Sequence, residues 1–244
     1  MKRIPAVLLL LGSIGCVGSG DPGRNASVQV SFATQAQAGA SLSRQPSFGV
    51  AQVNDTIIGS DTLIYTSVEV VLREIELKRA DVTACSGGDD GSCEEFELGP
   101  VLVSLPLTPG AAQTFALDTV PAATYGEVDF EVHKAEGTDP ADQAFLAAHP
   151  DFAGISIRVR GTFNSQVFEY TTTLDVEQEL ALAPQLVVAD GMSTNITVFV
   201  DVSGWFVKTG ALMDPANPDR SVVDDNIKRS FGAFEDRDHS GSHD

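Results

Sequence analysis

The chain has 244 residues, with 34 acidic against 15 basic side chains, a formal charge of −19 and 43% apolar residues. That is enough apolar material for a buried core in one large domain or two small ones. The acidic balance excludes nucleic acid and anionic lipid surfaces as electrostatic partners, because the force that dominates such binding is repulsive here.

Lys2 and Arg3 precede an apolar run from Ile4 to Ile14 that ends in Ser13-Ile14-Gly15-Cys16. The run resembles a bacterial lipoprotein signal peptide. Gly15 fits the small residue before the cut, whereas Ser13 departs from the usual Leu. An ordinary secretory signal cut near Gly20 is the competing reading. A membrane-spanning helix is a poor one, since the run falls well short of the ~20 residues that cross a bilayer. On the lipoprotein reading, residues 1–15 are removed and acyl chains on Cys16 anchor the protein to a membrane. Loss of Lys2 and Arg3 then takes the charge from −19 to −21. Residues 16–27, rich in Gly, Ser, Asp and Pro, read as a flexible tether.

Alternation of apolar and polar side chains runs through residues 28–209 and predicts half-buried strands. It is clear at Val28, Val30 and Phe32; at Val128, Phe130 and Val132; at Ile155, Ile157 and Val159; and from Ile196 to Val202. Between the first two, residues 34–47 are rich in Ala, Gln, Gly and Ser and predict a loop. From Ser67 to Arg79 the phase changes, with Val68, Val70 and Leu72 on one register and Ile75 and Leu77 on the other. One extra residue near Arg73 restores it, so this stretch predicts two strand halves joined by a β-bulge, with a helix as the competitor. Further strands are expected at 95–105, 113–117, 166–174, 177–182 and 186–189.

Cys85 and Cys93 flank the turn-rich Ser86-Gly87-Gly88-Asp89-Asp90-Gly91-Ser92. In an oxidising compartment they predict a disulfide worth about 2–3 kcal/mol. Zinc is the alternative, but it wants two more ligands. Only residues 139–148 read as a helix, with Thr138 or Asp139 as cap and Pro140 in the first turn. Residues 210–244 read as an acidic tail. From Met213 onward it holds eight acids against four bases, with Ile227, Phe231 and Phe234 on one face of a possible short helix.

No nucleophile elbow, His-Glu-x-x-His, phosphate loop or dinucleotide fingerprint occurs in the sequence. His133 reads as a surface or strand-end histidine after the acidic-faced strand 127–132. The tail run from Asp236 to Asp244 resembles part of a calcium loop, with Asp236, Asp238, Ser240 and Asp244 as candidate ligands; the chain stops before the closing acid. Asp89, Asp90, Glu94 and Glu95 form a second candidate cation site. Trp205 and Phe206 form a candidate aromatic platform for sugar or peptide, or else a plug at one end of the core.

Val68–Arg79, followed by Val101–Leu105 and by Phe115–Tyr125, resembles uncharacterised bacterial lipoproteins with a β-sandwich domain of unknown function. The likeness covers residues 62–135; the Gly common in that family's turn is Ala123 here. It implies fold and surface location and carries over no functional residue. The expectation is therefore an all-β chain, an antiparallel β-sandwich (Ig-like or related) with one inserted helix and an acidic tail. It would be anchored in the bacterial cell envelope through lipid, facing periplasm or exterior. Its expected role is non-enzymatic, binding a protein or carbohydrate ligand, with no cofactor other than calcium. The alternatives are a secreted carbohydrate-active enzyme using paired carboxylates and a calcium-dependent adhesion domain.

Overall fold

The computed structural model describes residues 26–34, 55–80, 93–96, 99–108, 111–115 and 119–237. In chain order the elements are β1 (Ala26–Thr34), β2 (Asp55–Ile58), β3 (Asp61–Arg79), β4 (Cys93–Phe96), β5 (Val101–Ser104), β6 (Ala112–Phe115), β7 (Thr119–Val120) and β8 (Ala123–Val132). They continue with α1 (Pro140–Ala148), β9 (Ile157–Phe163), β10 (Gln166–Thr172), β11 (Val176–Val188), β12 (Ser193–Val200), β13 (Val207–Lys208), β14 (Ala211–Leu212), α2 (Arg220–Lys228) and β15 (Phe231–Glu235). The chain is an all-β sandwich with short helices. A smaller sheet runs β15-β12-β1-β6, with β7 also on β1. A larger one runs β10-β9-β3-β8-β11, with β2, β4 and β5 also on β3.

Strand β3 organises the larger sheet. Val70 pairs with both Val103 and Ile157, and Leu72 with both Val101 and Val132. Each strand residue has two edges, so β9 and β8 follow one another along the same edge of β3, opposite β5. The expected bulge is present at Glu74, where Arg73 pairs with Glu131 and Ile75 with Phe130. Glu74 takes φ +49°, the left-handed conformation that such a bulge uses. A second shift between Tyr65 and Ser67 does the same for the β9 half. Together they keep Leu63, Tyr65, Val68, Val70, Leu72, Ile75 and Leu77 on the buried face despite two phase breaks.

Two different structures cover that face. Over the β8–β11 half lies the smaller sheet, with Phe32 edge-on to Phe130 at 6.0 Å and Phe231 edge-on to it at 5.4 Å. Over the β9–β10 half lies the segment 201–230. Its Phe206 packs against Tyr65, Phe168 and Tyr170, and Tyr65 Oη donates to the Val202 carbonyl at 2.8 Å. Helix α2 buries Val223 and Ile227, and Asn226 Nδ2 donates to the carbonyls of Gly204, Trp205 and Val207.

Several expectations change. Among the described strands pairing is antiparallel except for β1 with β12, which is parallel, because these two strands meet across the whole chain rather than through a hairpin. The first strand begins at Ala26, inside the stretch read as tether. The region after 209 belongs to the sandwich at least as far as β15. Phe231 and Phe234 sit in β15, paired with β12, not on a helix face. The two strands expected at 177–189 are one, β11, with its register to β8 shifting between Ala181 and Leu186. Helix α1 is as read: Asp139 caps it by accepting from Ala141 N–H at 2.7 Å, with Pro140 in the first turn.

Candidate functional site

The side chains of β3, β8 and β11 that point away from the core carry most of the unusual chemistry. On β8 the period of two that buries Val128, Phe130 and Val132 sends Glu127, Asp129 and Glu131 outward, and the same parity continues to His133. Pairing sets Asp129 opposite both Glu76 and Glu179, and Glu131 opposite Glu177. Like charges directly opposed across a sheet are destabilising. Glu74, Glu76, Asp129, Glu131, Asp175 and Glu177 line an open concavity of about 400 Å³. The bulge aims Glu74 into it.

Two groups of side chains within this face have the spacing of a cation site. In the first, Glu127, Asp129 and Glu179 bring carboxylate oxygens within 4.8 Å of one another. The positive charge there is Lys78, whose Nζ is 3.1 Å from Glu127 Oε1, 3.9 Å from Glu179 Oε1 and in close contact with Asp129. Asp129 is only 2% exposed. Burial pushes its carboxyl up to about 7, Lys78 opposing and Glu127 assisting. Lys78 is shifted upward too, its burial outweighed by hydrogen bonds to Asp129 and Glu127.

The second group is Glu131, His133 and Asp175. His133 follows the end of β8 and is 7% exposed, so it is buried rather than a surface histidine. Its Nε2 lies 2.8 Å from Asp142 Oδ1. Asp142 is in the first turn of α1, and its other oxygen accepts from the Glu136 N–H at 2.8 Å. Burial works against the Asp142 charge, but the Glu136 N–H and His133 outweigh it and lower its pKa. An ionised carboxylate can only accept, which assigns a proton to Nε2. Nδ1 makes no hydrogen bond and points at Glu131 Oε1, 3.6 Å away, and Asp175 Oδ1, 3.7 Å away. Burial, together with the hydrogen bond that a protonated Glu131 donates to Asp175, raises the pKa of Glu131.

The residues singled out in the sequence fall elsewhere. Trp205 and Phe206 are both 0% exposed, and Trp205 Nε1 donates to Ser230 Oγ at 2.9 Å. They plug the core and offer no open platform. Asp236 is also 0% exposed and accepts from Thr197 Oγ1 at 2.7 Å, which ties the end of β15 to β12. Asp238, Ser240 and Asp244 lie outside the described residues, as do Cys16, Cys85, Asp89 and Asp90. Cys93, Glu94 and Glu95 are described only as backbone of β4, paired with Lys78, Leu77 and Glu76. The sequence did hold a signal for His133: it shares the parity of Glu127, Asp129 and Glu131. Asp142 and Asp175 carried none, because they reach the site from other elements.

No protein-family model, curated protein or solved structure matches this chain.

Proposed function

We propose that this chain is a lipid-anchored bacterial envelope protein whose sandwich is a non-enzymatic binding module, and that the acidic outer face of β3, β8 and β11 is its binding surface for cations. The anchor reading rests on Lys2, Arg3 and the apolar run to Cys16. The likeness of residues 62–135 to envelope lipoproteins supports the same location. The observation that carries the binding surface is the register that stacks Glu76, Asp129 and Glu179 in one row and sets Glu131 between Glu177 and Arg73 in the next, a surface with more acids than bases. Folding brings these charges together at a cost, and a bound cation offsets that cost by linkage. Calcium, a hard ion that takes carboxylate oxygens, is the natural probe.

The test is thermal unfolding of the chain from Cys16 onward with increasing calcium, beside a variant carrying Glu76→Gln and Glu179→Gln. The melting temperature of the parent rises with calcium and that of the variant rises less. An equal rise in both overturns the reading. Mass spectrometry of the membrane-extracted protein tests the anchor separately, by diacylglyceryl mass on Cys16.

One observation favours a second reading, a carbohydrate-active enzyme using paired carboxylates. Asp129, whose carboxyl burial pushes up to about 7, has the protonation range of a general acid. Release of reducing sugar from polysaccharide, abolished by Asp129→Asn, would establish it in place of the binding module.

A further inference from the structure

Within the acidic face, the Glu131–His133–Asp175 group differs from its neighbour in one respect. The Glu127–Asp129–Glu179 group surrounds a lysine of the chain itself, whereas here the third member is an imidazole whose free nitrogen faces two carboxylates. In a neutral ring with its proton on Nε2, the Nδ1 lone pair faces carboxylate oxygens 3.6 Å and 3.7 Å away, which repel it. A cation seated between the three atoms turns each repulsion into a bond. Ligand atoms about 2.0–2.2 Å from a tetrahedral zinc lie about 3.4 Å from one another, close to the separations seen.

The ring is also held as a metal ligand is held. Its second nitrogen is bonded to a carboxylate, and that carboxylate is itself fixed by a backbone N–H and by its place in the first turn of α1. Imidazole beside carboxylates favours a divalent transition ion over calcium, which prefers oxygen throughout.

We infer that Glu131 Oε1, His133 Nδ1 and Asp175 Oδ1 form a site for one divalent transition-metal ion of the zinc class, with Asp142 as the residue that orients His133. This rests on the reading of the outer face as a cation-binding surface and assigns one part of it. The remaining coordination positions open toward the concavity lined by Glu74 and Glu177, where water or a ligand side chain reaches the ion.

The experiment is competition of the chain from Cys16 onward against a chromophoric zinc chelator, in a background with His239→Ala and His243→Ala so that tail histidines contribute nothing. One equivalent of zinc binds. His133→Ala abolishes that binding, and so does Asp175→Asn, a change at a side chain that is 43% exposed and outside the core. Asp142→Asn weakens it about tenfold while the unfolding midpoint in chelator stays in place, which a purely structural role for Asp142 would not allow. If the His133 variant fails to fold, the Asp175 variant decides. Unchanged affinity in Asp175→Asn, or no zinc bound by the parent, overturns the site. The calcium response of the Glu76 and Glu179 rows is read separately, so either claim can fail alone.

Discussion

The two halves of β3 carry the same kind of surface with opposite electrostatic outcomes. Along the β9–β10 half, Glu69 accepts from Arg158 Nε at 2.8 Å and from Arg160 Nη1 at 3.1 Å, and Arg160 Nε reaches Glu169 at 2.7 Å. Arg158 also pairs with Asp151 and stacks over Phe152 at 4.1 Å. Signs alternate and each charge is answered within the sheet. Along the β8–β11 half, Asp129 faces Glu76 and Glu179 and Glu131 faces Glu177, with Arg73 and Lys78 as basic residues among them. Composition alone cannot separate these halves, because the difference lies in which rows the register brings opposite one another. A compensated row stabilises the fold and asks for no ligand. A row with more acids than bases marks where a cation can bind.

Removing one charge from each half should therefore act in opposite directions. Arg158→Ala takes a nearly buried guanidinium from between Glu69 and Asp151 and should cost about 3 kcal/mol in urea unfolding. Asp129→Asn removes a like-charge contact from the other half and should raise stability by about 1 kcal/mol at pH 8 in chelator. The pH dependence sharpens the same contrast. The folded Asp129 carboxyl holds its proton up to about 7, against 3.8 for the ordinary group. Its contribution is complete below pH 3.8 and is lost as pH rises through about 7, since the unfolded chain has already released that proton. A stability slope across this window in the parent, absent in the Asn variant, is the expected result. The smallest effect belongs to Glu169→Gln. It breaks a pair with more than a third of each side chain in water and should change stability by less than about 0.5 kcal/mol. A loss as large as that of Arg158 would mean the compensated half works as a network.

Much of this architecture was legible before folding was considered. The step from Leu72 to Ile75 marks the bulge at Glu74, and the step from Tyr65 to Val68 marks its twin less plainly, because only two apolar positions precede it. Pro140 behind Asp139 announced α1. Strand partners were not legible, because alternation says which face is buried and nothing about what lies alongside. The parallel pairing of β1 with β12 joins Ser27 to Ser193 and left no local trace. The same limit hid the metal-ligand geometry: Glu131 and His133 are two residues apart, but Asp175 follows β10 and Asp142 arrives on α1. Trp205 and Phe206 admit two readings from the sequence, a presented platform or a plug, because nothing local decides between them; α2 and Ser230, further along the chain, make them the plug.

The order in which the sandwich closes has a consequence for how the polypeptide travels. β1 is the first of the described strands to leave the ribosome, yet its parallel neighbour is residues 193–200, and the cover over Tyr65, Phe168 and Tyr170 comes from residues 201–230. With its longest-range contacts deferred to the end, the nascent chain has no finished core to hide in until almost all of it has been made. For a polypeptide exported as proposed above, that delay keeps it threadable through a translocation pore. The sandwich of such a chain would close only after export, when β15, the last of the described strands, reaches β12.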